Sequence, residues 1–241
     1  MKISIVVPAF NEEKLLPATL LSIRAASDVF TSRGWGVETI VCDNNSTDQT
    51  ADIARTAGAR VVFEPINQIA RARNTGAAAA TGDWIIFIDA DSHPSRELFA
   101  DAANAILSGR FLAGGVTVRM DQWVFGLWFF TSLWNLISRL KKWCAGSFIF
   151  VDAAAFRAIG GFSHELFASE ELDLSDRLNK LAKQQGKQLI ILRQHPLVTS
   201  ARKAQLYGYL GHARFLLRVM GGPRRALRTR EACNIWYDGR R

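Results

Sequence analysis

Cysteine is scarce: three among 241 residues, at Cys42, Cys144 and Cys233, with no C-x-x-C pair. Thiols so few and so widely spaced exclude a disulfide frame and a thiolate zinc site, and fit free thiols in a reducing compartment. Glycine-rich phosphate loops are missing too. Neither G-x-G-x-x-G nor G-x-x-x-x-G-K-[ST] follows the first apolar run, so neither a dinucleotide-binding turn nor a P-loop is indicated. A diphosphate bound here would need a metal and basic side chains in place of a glycine cradle. No basic-then-apolar leader precedes that run, which predicts a cytoplasmic protein. There is no internal repeat, and no low-complexity tract beyond Ala77–Ala80. Nor is there a clean run of about 20 apolar residues, the length a membrane span needs. The nearest candidate, Trp123–Leu140, is interrupted by Thr, Ser, Asn and Arg, with Arg139, Lys141 and Lys142 at its end. It reads as an interfacial helix or one lining an acceptor groove, with a core helix of wide apolar face as the alternative.

The composition, 49% hydrophobic and 22% charged, is that of an ordinary globular chain, but its charge is sorted along the sequence. Residues 193–241 carry 11 Lys/Arg against 2 Asp/Glu, whereas residues 1–192 carry 19 against 20. The formal charge of +8 therefore belongs to the C-terminal fifth. Leu206–Met220 reads as a basic amphipathic helix, after which Arg224, Arg225, Arg228 and Arg230 interleave with Trp236 and Tyr237. Such a tail suits an anionic membrane surface, worth about 1 kcal/mol per basic residue near the lipid, and predicts a peripheral protein on the inner face. No nucleic-acid motif accompanies it, so nucleic acid is not an expected partner.

Apolar runs at Ile3–Val7, Val37–Cys42, Ala59–Phe63 and Trp84–Ile88 read as strands. The segments between them read as helices: one capped by Asn11 and starting near Glu12, one over Gln49–Ala57, and one over Ile66–Ala80. The last of these presents Gln68, Arg71, Arg73 and Asn74 on its outer face. Alternation of this kind means βαβ units and a mostly parallel sheet. Right-handed crossovers then bring the loops after Val7, Cys42 and Ile88 to one edge, where open α/β sheets bind ligands. The strand Trp84–Ile88 ends in Asp89-Ala90-Asp91. Residues two apart on an extended backbone point the same way, so the two carboxylates can seat Mg²⁺ or Mn²⁺, with Arg71 and Arg73 placed to help with a diphosphate. A strand over Gln188–Leu192 precedes His195, a further metal or phosphate candidate, and Ser200-Ala201-Arg202-Lys203 is a further candidate for the diphosphate.

Taken in order, Pro8-Ala9-Phe10-Asn11-Glu12, Asp43-Asn44-Asn45-Ser46-Thr47-Asp48-Gln49-Thr50, Arg73-Asn74-Thr75-Gly76, Asp89-Ala90-Asp91, Gly160-Gly161-Phe162 and Glu170-Glu171-Leu172-Asp173-Leu174 resemble the ordered signatures of family 2 glycosyltransferases. The resemblance covers roughly residues 1–180. It implies an α/β fold of GT-A type: a Rossmann-like, mostly parallel central sheet flanked by helices, here with a helical basic C-terminal extension. Residues 1–200 would form the GT-A domain, divided into a nucleotide-sugar half (1–92) and an acceptor half (93–200), with 201–241 as the extension. It further implies a nucleotide-diphosphate sugar donor, a UDP-sugar first, and a divalent metal. The residues carried over are Pro8, Phe10, Glu12, Asp43, Asn45, Arg73 and Asp89 for the nucleotide sugar, and Asp89 and Asp91, with His195 added, for the metal. Asp43 would read the nucleobase, with Phe10 against it.

The second acid of the family's Glu-Asp pair is its general base, which assigns that role to Glu171. Here the pair is Glu170-Glu171, one methylene longer at the base position, and Glu170 stays a second candidate. The family's Asp after Gly-Gly-Phe is Ser163. Glu170, Glu171 and Asp173 equally suit the acidic first turn of a helix over Glu171–Ala182. The reaction expected is a single displacement with inversion, the acceptor being a glycan, a lipid-linked sugar or a small molecule. Two rivals are a sugar-nucleotide nucleotidyltransferase, which would want a Gly-rich loop where Pro8–Glu12 stands, and a non-catalytic nucleotide-sugar-binding or membrane-associated module.

Overall fold

The computed structural model describes residues 1–122 and 125–200, together with Arg228 and Cys233. In strand β1 (Lys2–Ala9) the pleat sends Ile3, Ile5 and Val7 into one core and Val6 into a second. Strand β4 (Trp84–Ile88) does the same, with Trp84, Ile86 and Ile88 on one side and Ile85 and Phe87 on the other. Runs without polar interruption are what a strand covered on both faces requires. One face is covered by α1 (Leu16–Thr31) and α4 (Arg96–Leu107), the other by α3 (Ile69–Ala79) and α7 (Glu170–Gln184).

The remaining strands are β2 (Gly36–Asp43), β3 (Arg60–Phe63), β5 (Ser92–His93), β6 (Phe111–Met120), β7 (Phe148–Asp152) and β8 (Gln188–Thr199). They complete one eight-stranded sheet in the order β3-β2-β1-β4-β7-β6-β8-β5. The first four pair in parallel, as the βαβ reading predicts. At β7 the direction reverses, antiparallel to both β4 and β6, and Ile88 lies opposite Phe148. The start of β7 thus stands beside the end of β4, on the edge where the parallel strands finish. Helices α2 (Thr50–Thr56), α5 (Phe125–Lys141) and α6 (Ala153–Ala158) complete the described elements.

Several expected boundaries move. Asn11 caps no helix: it takes a left-handed backbone (φ 52°), and α1 starts at Leu16, with Pro17 in the first turn where its missing N–H costs nothing. Helix α3 starts at Ile69, and two of its supposed outer residues, Gln68 and Arg73, are buried. Strand β8 runs through His195 and Pro196 to Thr199, because its register against β6 shifts between Leu192 and Leu197 and the proline falls in that irregularity. The three cysteines are free and buried. The expected helix Leu206–Met220 and Arg224, Arg225 and Arg230 lie outside the described residues. Arg228 pairs with Glu165 at 2.6 Å, and Cys233 is buried against Ala168, Phe167 and Ile69.

The sheet tolerates no side chain at Gly114 of β6. A Cβ there would stand 2.5 Å from the Phe150 ring and 2.7 Å from the Ile190 carbonyl oxygen. The ring can tilt but the neighbouring strand cannot, so Gly114→Ala is expected to cost about 2 kcal/mol. Calorimetry should read this as a fall in Tm of roughly 4–8 °C.

Candidate active site

A cavity of about 330 Å³ opens at the carboxyl edge of the parallel strands. Pro8, Phe10 and Glu12 line it from the end of β1, Asn44 from the end of β2, and Asp89 and Asp91 from the end of β4. Arg73 enters from α3, Gly146 and Ser147 from the approach to β7, and Glu170 and Glu171 from the start of α7. Met120, Thr199 and Ser200 close it from the ends of β6 and β8. Two acidic pairs some eighty residues apart in sequence thus share one space. Asp89 and Asp91 reach it by a route other than the pleat. Strand β4 stops at Ile88, and Asp89-Ala90-Asp91 is a turn, tied down by Ser92 N–H to the Asp89 carbonyl (3.1 Å) and by Thr19 Oγ1 to the Ala90 carbonyl (2.8 Å).

The loops after β1 and β2 are fastened to each other. The Asn11 N–H donates to Ser46 Oγ (3.0 Å), the Thr47 N–H to Asn11 Oδ1 (2.8 Å), and the Glu12 N–H to Thr50 Oγ1 (2.8 Å). Asp43 sits at the end of β2, nearly buried, with Oδ1 accepting from the Ser46 N–H at 3.1 Å. Asp48 accepts from both the N–H and the hydroxyl of Thr50. Partial burial would raise its carboxyl, but these bonds hold it below the usual carboxylate range. The polar motif Asp43–Thr50 is a latch that fixes Phe10 and Glu12 in place.

Arg73 is the centre of the site. Only 1% exposed, it donates from Nη1 to Glu170 Oε1 (2.5 Å) and from Nη2 to Asp89 Oδ1 (2.9 Å) and the Gly146 carbonyl (2.9 Å). Its guanidinium carbon lies 5.2 Å from the centroid of the Phe162 ring, over its face. Phe162 is set in turn by Asn74, which accepts from the Phe162 N–H and donates to its carbonyl, both at 2.9 Å. Gly161 takes φ +70°, and a Cβ there would fall 2.5 Å from Asn74 Oδ1, so glycine is required. The Arg-Asn and Gly-Gly-Phe motifs are therefore two sides of one contact. Arg71 lies elsewhere, with Nε donating to Gln68.

Glu170 and Glu171 form the first turn of α7, where the helix dipole favours acids. Glu170 is 3% exposed and bound to Arg73. Burial pushes its carboxyl upward, and the Arg73 charge pulls against that. Glu171 has no ion pair among the described residues. Burial and the neighbouring Glu170 charge push it up to about 8.

The structure brings Pro8, Phe10, Glu12, Arg73, Asp89, Asp91, Glu170 and Glu171 together around the cavity. It does not bring His195 there. His195 lies on β8 with Nδ1 bonded to Asp101 of α4 at 2.9 Å, because the longer β8 carries it past the expected loop. Asp43 and Asn45 are also off the cavity wall, with Asn44 in their place. Asn45 is in the left-handed region (φ 67°). Gly146, Ser147, Met120 and Thr199 escaped the sequence reading, since ordinary residues at strand ends carry no local signal. Ser200 lines the cavity, while 201–203 lie outside the described residues.

Removing the Arg73 charge would leave Glu170 buried without compensation. Arg73→Met should lose about 3–5 kcal/mol in denaturant unfolding, and Arg73→Lys should recover little, because one ammonium cannot reproduce the fork to two carboxylates. Adding Glu170→Gln to Arg73→Met should restore part of the loss.

The model of the family described as "Glycosyl transferase family 2" matches residues 4–160. An uncharacterized glycosyltransferase of Mycobacterium tuberculosis is 42% identical over 89 residues, 37% of this chain and 36% of the relative. The 4,4'-diaponeurosporenoate glycosyltransferase of Staphylococcus haemolyticus is 37% identical over 102 residues, 39% of this chain and 25% of the relative. The matched stretch thus spans 25% to 36% of the length of these two relatives. Among solved structures, the mannosyltransferase PcManGT of Pyrobaculum calidifontis with GDP-Man and Mn²⁺ gives a TM-score of 0.67 at 21% identity, over 93% of this chain and 60% of that one. S. aureus TarS 1-349 with UDP-GlcNAc gives 0.65 at 22% identity, over 83% and 58%. The fold is GT-A, and the chain belongs to glycosyl transferase family 2.

Proposed function

We propose that the chain transfers a sugar from a nucleotide-diphosphate sugar to an acceptor hydroxyl, in one displacement that inverts the anomeric carbon. The observation that supports this best is the charge of the cavity. Among its described lining residues, Glu12, Asp89, Asp91, Glu170 and Glu171 stand against the lone guanidinium of Arg73, which is already committed to two of them. A cation among these carboxylates would favour the entry of a diphosphate. Asp89 and Asp91 are hard oxygen donors suited to Mg²⁺ or Mn²⁺, and such ions commonly take one or two carboxylates and complete their shell with phosphate oxygens. When bound, the metal offsets the negative charge that develops on the departing diphosphate. That related folds were solved with GDP-Man and Mn²⁺ or with UDP-GlcNAc supports the same reading.

Phe10 and Asn44 hold the nucleotide from the ends of β1 and β2, with Asp43 bracing the turn behind Asn44 through the Ser46 N–H. Glu171 takes the proton of the acceptor hydroxyl as it attacks. Glu170 is not the base, because its carboxylate is bonded to Arg73 and buried; it holds Arg73, and through it Asp89, in register.

Two measurements test this. Purified chain with UDP- and GDP-sugars and Mn²⁺ or Mg²⁺ should release nucleotide diphosphate, and EDTA should abolish release. Asp91→Ala should lower turnover by about 10²-fold or more, and Glu171→Gln should lower kcat by roughly 10²–10⁴-fold while leaving nucleotide binding unchanged. Absence of both turnover and nucleotide binding would refute the enzyme reading. The second is a pH profile. A base with its carboxyl near 8 is mostly protonated at neutral pH, so kcat/KM should climb with pH and level off above about 8. Glu170→Gln removes the like charge that holds the proton on Glu171, so the rise should move to lower pH.

A further inference from the structure

Helix α5 is polar where it meets the protein and apolar where it faces out. Asn135 donates to the Val118 carbonyl and accepts from the Val118 N–H, each at 2.9 Å, fixing the helix to β6. One turn on, Ser138 is fully buried, its hydroxyl donating to the Trp143 carbonyl. On the outward side Trp128, Phe129 and Phe130 are 56%, 57% and 55% exposed, and Leu133, Leu136 and Leu140 are 43%, 51% and 75% exposed. A helix that held its place by burying apolar surface would have the opposite arrangement. A contiguous row of this size goes beyond the scattered apolar residues of ordinary surfaces.

Charge selects what covers it. The helix has no Asp or Glu, and Arg139 and Lys141 stand in its last turn. A second copy of the chain, pressed on through the same helix, would bring no acid to meet those bases. An anionic bilayer supplies both requirements, an acyl boundary for the aromatic and leucine side chains and phosphates for the bases. The helix does not cross: no described helix is long and apolar enough to span a membrane.

We propose that α5 is a docking helix that lies in the interface of an anionic lipid bilayer, aromatic side down. The chain enters α5 just after Met120 and leaves it just before Gly146 and Ser147, and all three line the cavity. Docking therefore holds the mouth of the cleft at headgroup level. On the reading of the site as a glycosyltransferase centre, an acceptor carried by a membrane lipid reaches Glu171 without leaving the bilayer.

Vesicle binding, measured without donor or acceptor, tests the docking separately from the chemistry. The full chain should sediment with phosphatidylglycerol/phosphatidylcholine vesicles and much less with phosphatidylcholine alone. Phe129→Ser/Phe130→Ser/Leu133→Ser, none of which lines the cavity, should weaken binding by on the order of 100-fold, with circular dichroism and Tm unchanged. Arg139→Gln/Lys141→Gln should bind more weakly and lose its preference for the anionic lipid. If the triple variant fails to fold, quenching by brominated lipid decides: wild type should be quenched, and Trp128→Phe should lose much of that quenching. Three results would overturn the proposal: a wild-type chain that ignores anionic vesicles, a folded triple variant that binds them as tightly (so that residues 201–241 hold the membrane instead), or a wild-type dimer that the triple variant converts to monomer.

Discussion

The forked ion pair of Arg73 is the interaction on which the rest of this molecule depends. A guanidinium buried this deeply would be strongly disfavoured alone, and Glu170 beside it equally so. Together, with Asp89, the Gly146 carbonyl and the Phe162 ring as further partners, they offset each other's burial, while the buried Arg73 Nε finds no hydrogen-bond partner among the described residues. The four protein partners come from four separate parts of the chain: the end of β4, the approach to β7, the loop after α6 and the start of α7. One side chain therefore fixes the end of β4 against the start of α7. The glycines around it follow from the same constraint. Gly146 allows the guanidinium its approach, since a Cβ there would lie 3.0 Å from Nη2, and Gly161 allows Asn74 to hold the Phe162 ring.

The same arrangement divides labour between the two glutamates. Arg73 claims Glu170, and that buried ion pair stands directly beside Glu171. Burial and the Glu170 charge together leave Glu171 holding its proton near neutrality, a condition suited to a group that exchanges protons with a substrate. The described lining of the cavity carries five carboxylates against one guanidinium, an excess that favours a cation over a bare anion.

Helix α5 extends this logic outward. Its polar contacts with Val118 and its direct continuity with Met120, Gly146 and Ser147 tie the surface helix to the cavity wall. The basic charge of the last turn of α5 and the excess in residues 193–241 have the same sign, so they attract the same kind of surface.

Local chemistry was enough to read the first half of the fold. Four apolar runs separated by helical periodicity dictate a parallel sheet, because buried strands and amphipathic helices carry their periods in consecutive residues, and the acids at strand ends follow. The order of the motifs carried the family. Residues brought together by distant parts of the chain were not legible in this way. Arg73 looks like a residue on an outer helical face, and only the packing of α3 on the parallel strands, with Asp89 and Glu170 beside it, turns it inward. His195 looks like a ligand, and only the shifted register of β8 against β6 takes it to Asp101. The sequence by itself determined which elements form and which carboxylates stand at their ends, since those depend on neighbours a few residues away. Tertiary structure alone decided which charges meet, because burial and ion pairing depend on contacts that no local pattern records.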